Sequence, residues 1–179
     1  IDIEVMKVKV QYQGKEFQLK FQKIENQKNI EEIKQLFREY AEELPIDLDF
    51  QDFEEELTKL LGKYGPPDGV LILAYLKEKA VGCIALRKIS KEICEMKRLY
   101  VKKEYRGLGI GRELVNILIK EAKQFDYKFM RLDTIPSLKE AQNLYESFGF
   151  YDIEPYVYNP TEGARFMELD LNSTEIDNT

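Results

Sequence analysis

Histidine is absent from this chain of 179 residues, and cysteine occurs only at positions 83 and 94. The missing imidazole excludes Ser-His-Asp triads, Cys-His dyads and most zinc sites together. Any general base must be a carboxylate, Tyr, Lys, Cys or the N-terminal amine. Cys83 and Cys94 are too few for a disulfide scaffold, and each reads as a small buried apolar residue. No apolar run approaches the ~18 residues of a membrane helix. The chain carries no positive excess either. Its net charge of −6 disfavours non-specific nucleic-acid binding. Ile1 to Gln13 alternates charged and apolar residues, lacks a signal-peptide core and starts without Met. The expectation is a chain short of its first residue or residues, located in the cytoplasm.

What is present is an ordinary globular composition, 44% apolar and 34% charged, enough for one domain with a sizeable core. Residues 1–171 read as that domain and 172–179 as a flexible tail. Val5 to Tyr12 and Lys15 to Ile24 alternate around Gln13-Gly14 and predict a hairpin. Asn29 offers a cap for a helix to about Leu44, ended by Pro45. A second helix is expected over Gln51 to Lys63, with Phe53, Leu57, Leu60 and Leu61 inward. Three strands follow in a meander: Val70 to Leu76, Ala80 to Leu86 and Ile93 to Val101. A helix is expected from Gly109 to Phe125, with Ile110, Leu114, Ile117, Leu118 and Ala122 as its stripe. Then come a strand at Lys128 to Asp133, a helix from Leu138 to Phe148 closed by Gly149, and strands at Tyr151 to Tyr156 and Ala164 to Leu171. The unit from Ile93 to Asp133 is a right-handed βαβ crossover. The fold class is α/β of the α+β type: a mixed, mostly antiparallel sheet with helices on its faces.

Six cations (Lys97, Arg98, Lys102, Lys103, Arg106, Arg112) and one anion (Glu104) crowd into residues 97–112 of this acidic chain. Such an island points to a local anionic ligand. Arg106-Gly107-Leu108-Gly109-Ile110-Gly111-Arg112 lies there, between a strand and a helix. Its glycines permit positive φ and close backbone approach. The helix start adds free N–H groups and the positive end of its dipole, a site suited to phosphate or pyrophosphate. The P-loop pattern fails, since no Lys is followed by Ser or Thr, and the dinucleotide pattern fails because its third glycine falls on Arg112. The pattern R/Q-x-x-G-x-G/A fits at Arg106, Gly109 and Gly111.

Glu95 to Val101, Tyr105 to Gly111 and Ala141 to Phe150 (A-x-x-L-Y-x-x-x-G-F) together resemble the GNAT acetyltransferase superfamily. The similarity covers roughly Phe17 to Leu171, and the hairpin strand at residues 1–14 is additional to it. The resemblance implies acetyl-CoA as cosubstrate, no metal, and direct attack of a small metabolite's primary amine on the thioester. It places pantetheine along Leu99-Tyr100-Val101 and pyrophosphate on the amides of Gly107, Leu108, Gly109, Ile110, Gly111 and Arg112. Lys102, Lys103, Arg106 and Arg112 would meet the nucleotide phosphates. It makes Glu95 the general base or a ligand of the ammonium, Tyr145 the acid for the leaving thiolate, and a β-strand N–H near Leu99 or Val101 the oxyanion donor.

By period-two alternation Glu95 shares a strand face with Lys97, Leu99 and Val101. The family often has Asn where Leu138 stands, so Asn143 is the substitute cofactor contact. Acceptor candidates are Arg38, Tyr40, Phe50, Arg87, Asp133, Thr134, Tyr156, Tyr158 and Asn159. The acidic run Glu42 to Glu56 would suit a polyamine, and an Arg would suit an amino acid. Protein N-termini or lysines as acceptors, or a non-catalytic acyl-CoA-binding module, stay open at this point. The hairpin edge offers a pairing surface for a homodimer.

Overall fold

The computed structural model describes residues 4–24, 26–48 and 52–173; Phe50, Gln51 and the tail 174–179 lie outside them. Strands β1 (Glu4–Tyr12) and β2 (Lys15–Lys23) form the expected hairpin, with Gln13 and Gly14 both at positive φ in its turn. Helix α1 (Gln27–Glu43) starts one turn earlier than expected. Its cap is Asn26, whose Oδ1 accepts the Asn29 N–H at 3.0 Å. Asn29 is instead buried, and its Nδ2 donates to the Tyr75 hydroxyl at 2.8 Å.

The single helix expected from Gln51 divides into α2 (Phe53–Thr58) and α3 (Leu60–Tyr64), because Lys59 leaves the helical region at ψ 37°. The break keeps Phe53, Leu57 and Leu60 inward but turns Leu61 out to solvent. There follow β3 (Val70–Leu76), β4 (Lys79–Lys88), β5 (Ile93–Val101), a single 3-10 turn at Lys103–Tyr105, α4 (Ile110–Gln124), β6 (Phe129–Thr134), α5 (Lys139–Phe148), β7 (Tyr151–Asp152) and β8 (Arg165–Asp170). The strand expected to reach Tyr156 stops at Asp152: Pro155 has no N–H to extend the pairing, and Tyr156 turns to another partner.

Among the described residues the strands join one eight-stranded sheet in the order β1-β2-β3-β4-β5-β6-β8-β7. Every pairing is antiparallel except β5 with β6. Helices α4 and α5 cover one face, where Leu114, Ile117, Leu118 and Tyr145 pack on Ile72, Ile84, Cys94 and Met130. Helices α1 to α3 cover the other, where Ile33, Phe37, Leu57 and Tyr64 pack on Leu73, Cys83 and Ala85. The mixed, mostly antiparallel sheet with helices on both faces matches the expectation.

Two irregularities shape the middle of the sheet. The β5–β6 ladder pairs Ile93, Cys94 and Glu95 with Phe129, Met130 and Arg131 and then ends, although both strands run on. The two strands therefore splay. On the other side of β5, the register with β4 passes from Ala85↔Lys97 to Cys83↔Tyr100, so Arg98 and Leu99 oppose Ile84 alone. Arg98 sits in this bulge at φ 61°, a conformation unfavourable for a residue with a Cβ.

The bulge overturns the expected alternation. Glu95 and Lys97 face away from α4, whereas Leu99 and Val101 pack on the α4 side with Cys94 and Met96.

The bulge is held by charge. Arg98 Nε and Nη2 donate to Glu56 Oε2 and Oε1 at 2.9 and 3.1 Å, and Lys63 and Tyr64 also donate to Oε1. The guanidinium lies against the rings of Tyr40 and Phe53. Burial alone would raise the Glu56 pKa, but Arg98 and then Lys63 hold it down to about 2. A depressed carboxylate contributes stability above its ordinary value of 4.5 and loses it as pH falls through about 2. Glu56→Gln is therefore expected to cost ~3–5 kcal/mol at neutral pH and to flatten the acid limb of a stability–pH profile from urea unfolding. A variant with the wild-type acid limb would exclude this pair as its source.

Candidate active site

Two connected hollows follow from the splay. The outer one is a groove of about 820 Å³ between β5, the glycine loop and α5. That volume is typical of a site for a drug-sized or larger ligand. Leu99, Tyr100, Val101, Arg106, Gly107, Gly109, Ile110, Gly111, Arg112 and Asn143 line it, together with Leu138 and Glu43. Of the expected cofactor residues, Lys102, Lys103 and Leu108 are not on this wall; the Leu108 side chain packs toward the α4 core.

Gly107 and Gly109 adopt φ of 89° and 82°, and a Cβ on either would project into open space. The first backbone bond of α4 runs from the Glu113 N–H to the Gly109 carbonyl. The amides of Ile110, Gly111 and Arg112 thus have no intrahelical acceptor. Open backbone, free amides and a helix N-terminus at one end of the groove fit a phosphorylated ligand.

The basic island divides. Arg98 serves the bulge, and Lys97 lines the inner hollow. Lys102 pairs with Glu39 at 3.1 Å. Arg106 donates from Nε to the Val101 carbonyl and from Nη2 to Glu43 at 2.6 Å. Arg112 reaches the Ser147 hydroxyl at 3.2 Å. Glu43 and Glu56, from the acidic run considered for a polyamine, are thereby engaged within the protein.

The inner hollow is small, about 60 Å³, and shares Tyr40, Leu44, Leu99, Leu138 and Ala141 with the groove. Apolar walls come from Ile46, Leu48, Met96, Leu132 and Ile135. Its polar lining includes Tyr40, Lys97, Asp133, Thr134, Tyr145 and Asn159. Burial pushes the Tyr145 phenol up and the Lys97 ammonium down.

Four of the acceptor candidates (Tyr40, Asp133, Thr134 and Asn159) converge on this hollow. Arg38 and Tyr158 are exposed. Phe50 lies outside the described residues, and Arg87 and Tyr156 are spent on Glu95. Its Oε1 accepts from Arg87 Nε at 2.9 Å and its Oε2 from the Tyr156 hydroxyl at 2.6 Å. Glu95 is only 1% exposed and is not in the lining of either hollow. The sequence points to the loop after the first helix as part of the acceptor pocket but does not single out Leu44, Ile46 and Leu48, because a segment following a helix has no periodicity to betray which side chains turn inward.

Residues 30–150 match the profile of the Acetyltransferase (GNAT) family. The chain belongs to this family. Over 146 residues this GNAT chain is 40% identical to an uncharacterized N-acetyltransferase of Schizosaccharomyces pombe, covering 80% of this chain and 90% of that one. Its fold is similar to that of a GNAT-family acetyltransferase from Staphylococcus aureus Mu50, with TM-score 0.72, 25% identity, and 86% and 99% of the two chains covered. It is also similar to an acetyltransferase from Salmonella typhimurium whose structure was solved with acetyl-CoA, with TM-score 0.64, 16% identity, and 90% and 99% covered. The protein is accordingly an acyltransferase. Among the described residues no helix is long and apolar enough to cross a membrane, and no group of three or more acidic or sulfur side chains is arranged to hold a metal ion.

The closed environment of Glu95 makes a prediction for stability. Glu95→Gln removes the charge that Arg87 and Tyr156 share and is expected to cost about 1.5–3 kcal/mol in chemical unfolding. An unchanged unfolding midpoint would show that the pair contributes nothing.

Proposed function

We propose that this enzyme transfers acetyl from acetyl-CoA to the primary amine of a small metabolite by direct attack. One observation carries the reading: a groove ending in free amides at the α4 N-terminus leads, through the β5–β6 splay, into a hollow too small for a bulky acceptor. Bound acetyl-CoA would supply an activated thioester. In this reading the chain's own groups do the rest. The amides of Gly107 to Arg112 take the pyrophosphate, and Arg106 and Arg112 add charge. The free edge of β5 beyond Glu95 offers backbone groups at Leu99 and Val101 to pantetheine and to the carbonyl oxygen as it gains charge. Asn143 stands on the groove wall where Leu138 offers no polar contact. Tyr145, in the lining of the inner hollow, protonates the departing sulfur; its raised pKa keeps the phenol protonated and able to donate.

Glu95 does not meet the acceptor directly in this reading. Both its oxygens are engaged, so it serves as an anchor for Arg87 and Tyr156. The two buried free thiols agree with a cytoplasmic setting. The acceptor is a small amine rather than a protein segment, because about 60 Å³ corresponds to a few water molecules.

Two variants test the reading. Gly109→Val, strained at positive φ and filling the open backbone, is expected to abolish acetyl-CoA binding in a folded protein. Tyr145→Phe is expected to bind acetyl-CoA normally and to lower kcat by roughly 10²-fold in CoA-release assays with primary amines. Wild-type affinity in the first, or wild-type kcat in the second, would contradict the assigned roles.

A further inference from the structure

We infer that Asp133 and Thr134, at the end of β6, form the acceptor site and that it takes a small cationic primary amine with a short apolar body. The inference rests on the acetyl-transfer reading above and identifies the carboxylate that reading leaves unassigned. Three observations converge on it. Among the described residues Asp133 is the one carboxylate in the lining of the inner hollow. Asn159 Nδ2 donates to its Oδ2 at 3.0 Å, which fixes the group; among the described residues Oδ1 has no hydrogen-bond donor and is open to a ligand. The neighbouring Thr134 is 3% exposed, lines the same hollow, and its Oγ1 has no hydrogen-bond partner. A buried hydroxyl left without a partner costs about 1–3 kcal/mol, so its retention calls for a ligand that satisfies it.

The rest of the lining defines what fits. An ammonium has three donors, and the carboxylate and the hydroxyl accept two of them. The walls formed by Leu44, Ile46, Leu48 and Leu132 are apolar and suit a short hydrocarbon body. Tyr145 lines the same hollow, so one space holds an acceptor of protons and a donor of protons. In the transfer step the amine nitrogen bonds to the thioester carbon and the C–S bond breaks. Before attack the ammonium gives one proton to Asp133, so that a neutral nitrogen attacks; as the C–S bond breaks the sulfur takes the proton of Tyr145, and the second proton shed by the nitrogen restores the Tyr145 phenol. Glu95 lies outside this exchange, locked between Arg87 and Tyr156.

The test uses n-butylamine as probe and follows CoA release at saturating acetyl-CoA for the wild type, Asp133→Asn and Thr134→Val. Acetyl-CoA affinity and thermal midpoint are measured alongside. Saturable turnover of n-butylamine by the wild type is expected. Asp133→Asn should lower kcat/KM for the amine at least roughly 100-fold with acetyl-CoA affinity unchanged. Thr134→Val should raise the amine KM several-fold while its midpoint stays level or rises, since the variant removes an unsatisfied buried hydroxyl. That split separates a ligand contact from a structural role. Acetyl-CoA binding without n-butylamine turnover would overturn the inference, as would an Asp133→Asn within threefold of wild type or a Thr134→Val with unchanged KM. A wild type that does not bind acetyl-CoA would instead overturn the acetyl-transfer reading beneath it.

Discussion

Arg98 occupies a backbone conformation that costs a residue with a Cβ about 1–3 kcal/mol, and it does so at the centre of an otherwise regular sheet. It stays there because Glu56, brought from α2, binds its guanidinium by two hydrogen bonds while Tyr40 and Phe53 enclose it. A buried pair of this kind is strongly unfavourable to break, since either charge alone would be stranded without water. The pair therefore fixes the bulge, and the bulge decides which way the rest of β5 faces. Without it, Leu99 and Val101 would lie on the Glu95 side of the sheet. With it, they lie on the α4 side, and Tyr100 reaches toward α1.

The electrostatics of the groove follow from the same arrangement. Because α1 packs on this face, its C-terminal carboxylates reach two cations beyond the end of β5: Glu39 to Lys102, and Glu43 to Arg106 on the groove wall. The Glu43–Arg106 pair is about two-fifths exposed on both sides, and such pairs are worth under ~1 kcal/mol. Arg106 is thus held in place without being withheld from an anionic ligand. Deeper in, Arg98 and Glu95 are closed off by their partners, and among the described residues Asp133 is the carboxylate that lines the inner hollow. The splay supplies the remaining condition, since β5 beyond Glu95 has no β6 partner for its backbone.

Much of this was legible in the sequence where local signals are strong. Gln13-Gly14 marks the hairpin turn, the stripe from Ile110 to Ala122 marks α4, and Gly107, Gly109 and Gly111 mark the loop that leads into it. What escaped was set by distant partners. Arg98 and Glu56 are 42 residues apart, so neither the bulge nor the reversal of facing after Lys97 has a local signature. Period-two reasoning placed Leu99 beside Glu95 because it assumes an unbroken ladder. Lys59 breaks a helix with neither Pro nor Gly to announce it. Asn29 was a plausible cap by type, but Asn26 satisfies the same amide, and Asn29 is drawn inward to Tyr75. The surroundings of Glu95 are equally non-local: Tyr156, 61 residues away, donates to its second oxygen, a contact that residue type alone does not reveal.

The central claim is that the groove formed by the splay and the glycine loop holds acetyl-CoA. Thermal unfolding with and without this ligand tests it most directly. At a hundredfold its Kd, a ligand bound only by the folded state adds about 2.7 kcal/mol, a rise of several degrees in the midpoint. The account predicts that rise. A folded protein whose midpoint is unmoved by saturating acetyl-CoA would contradict it.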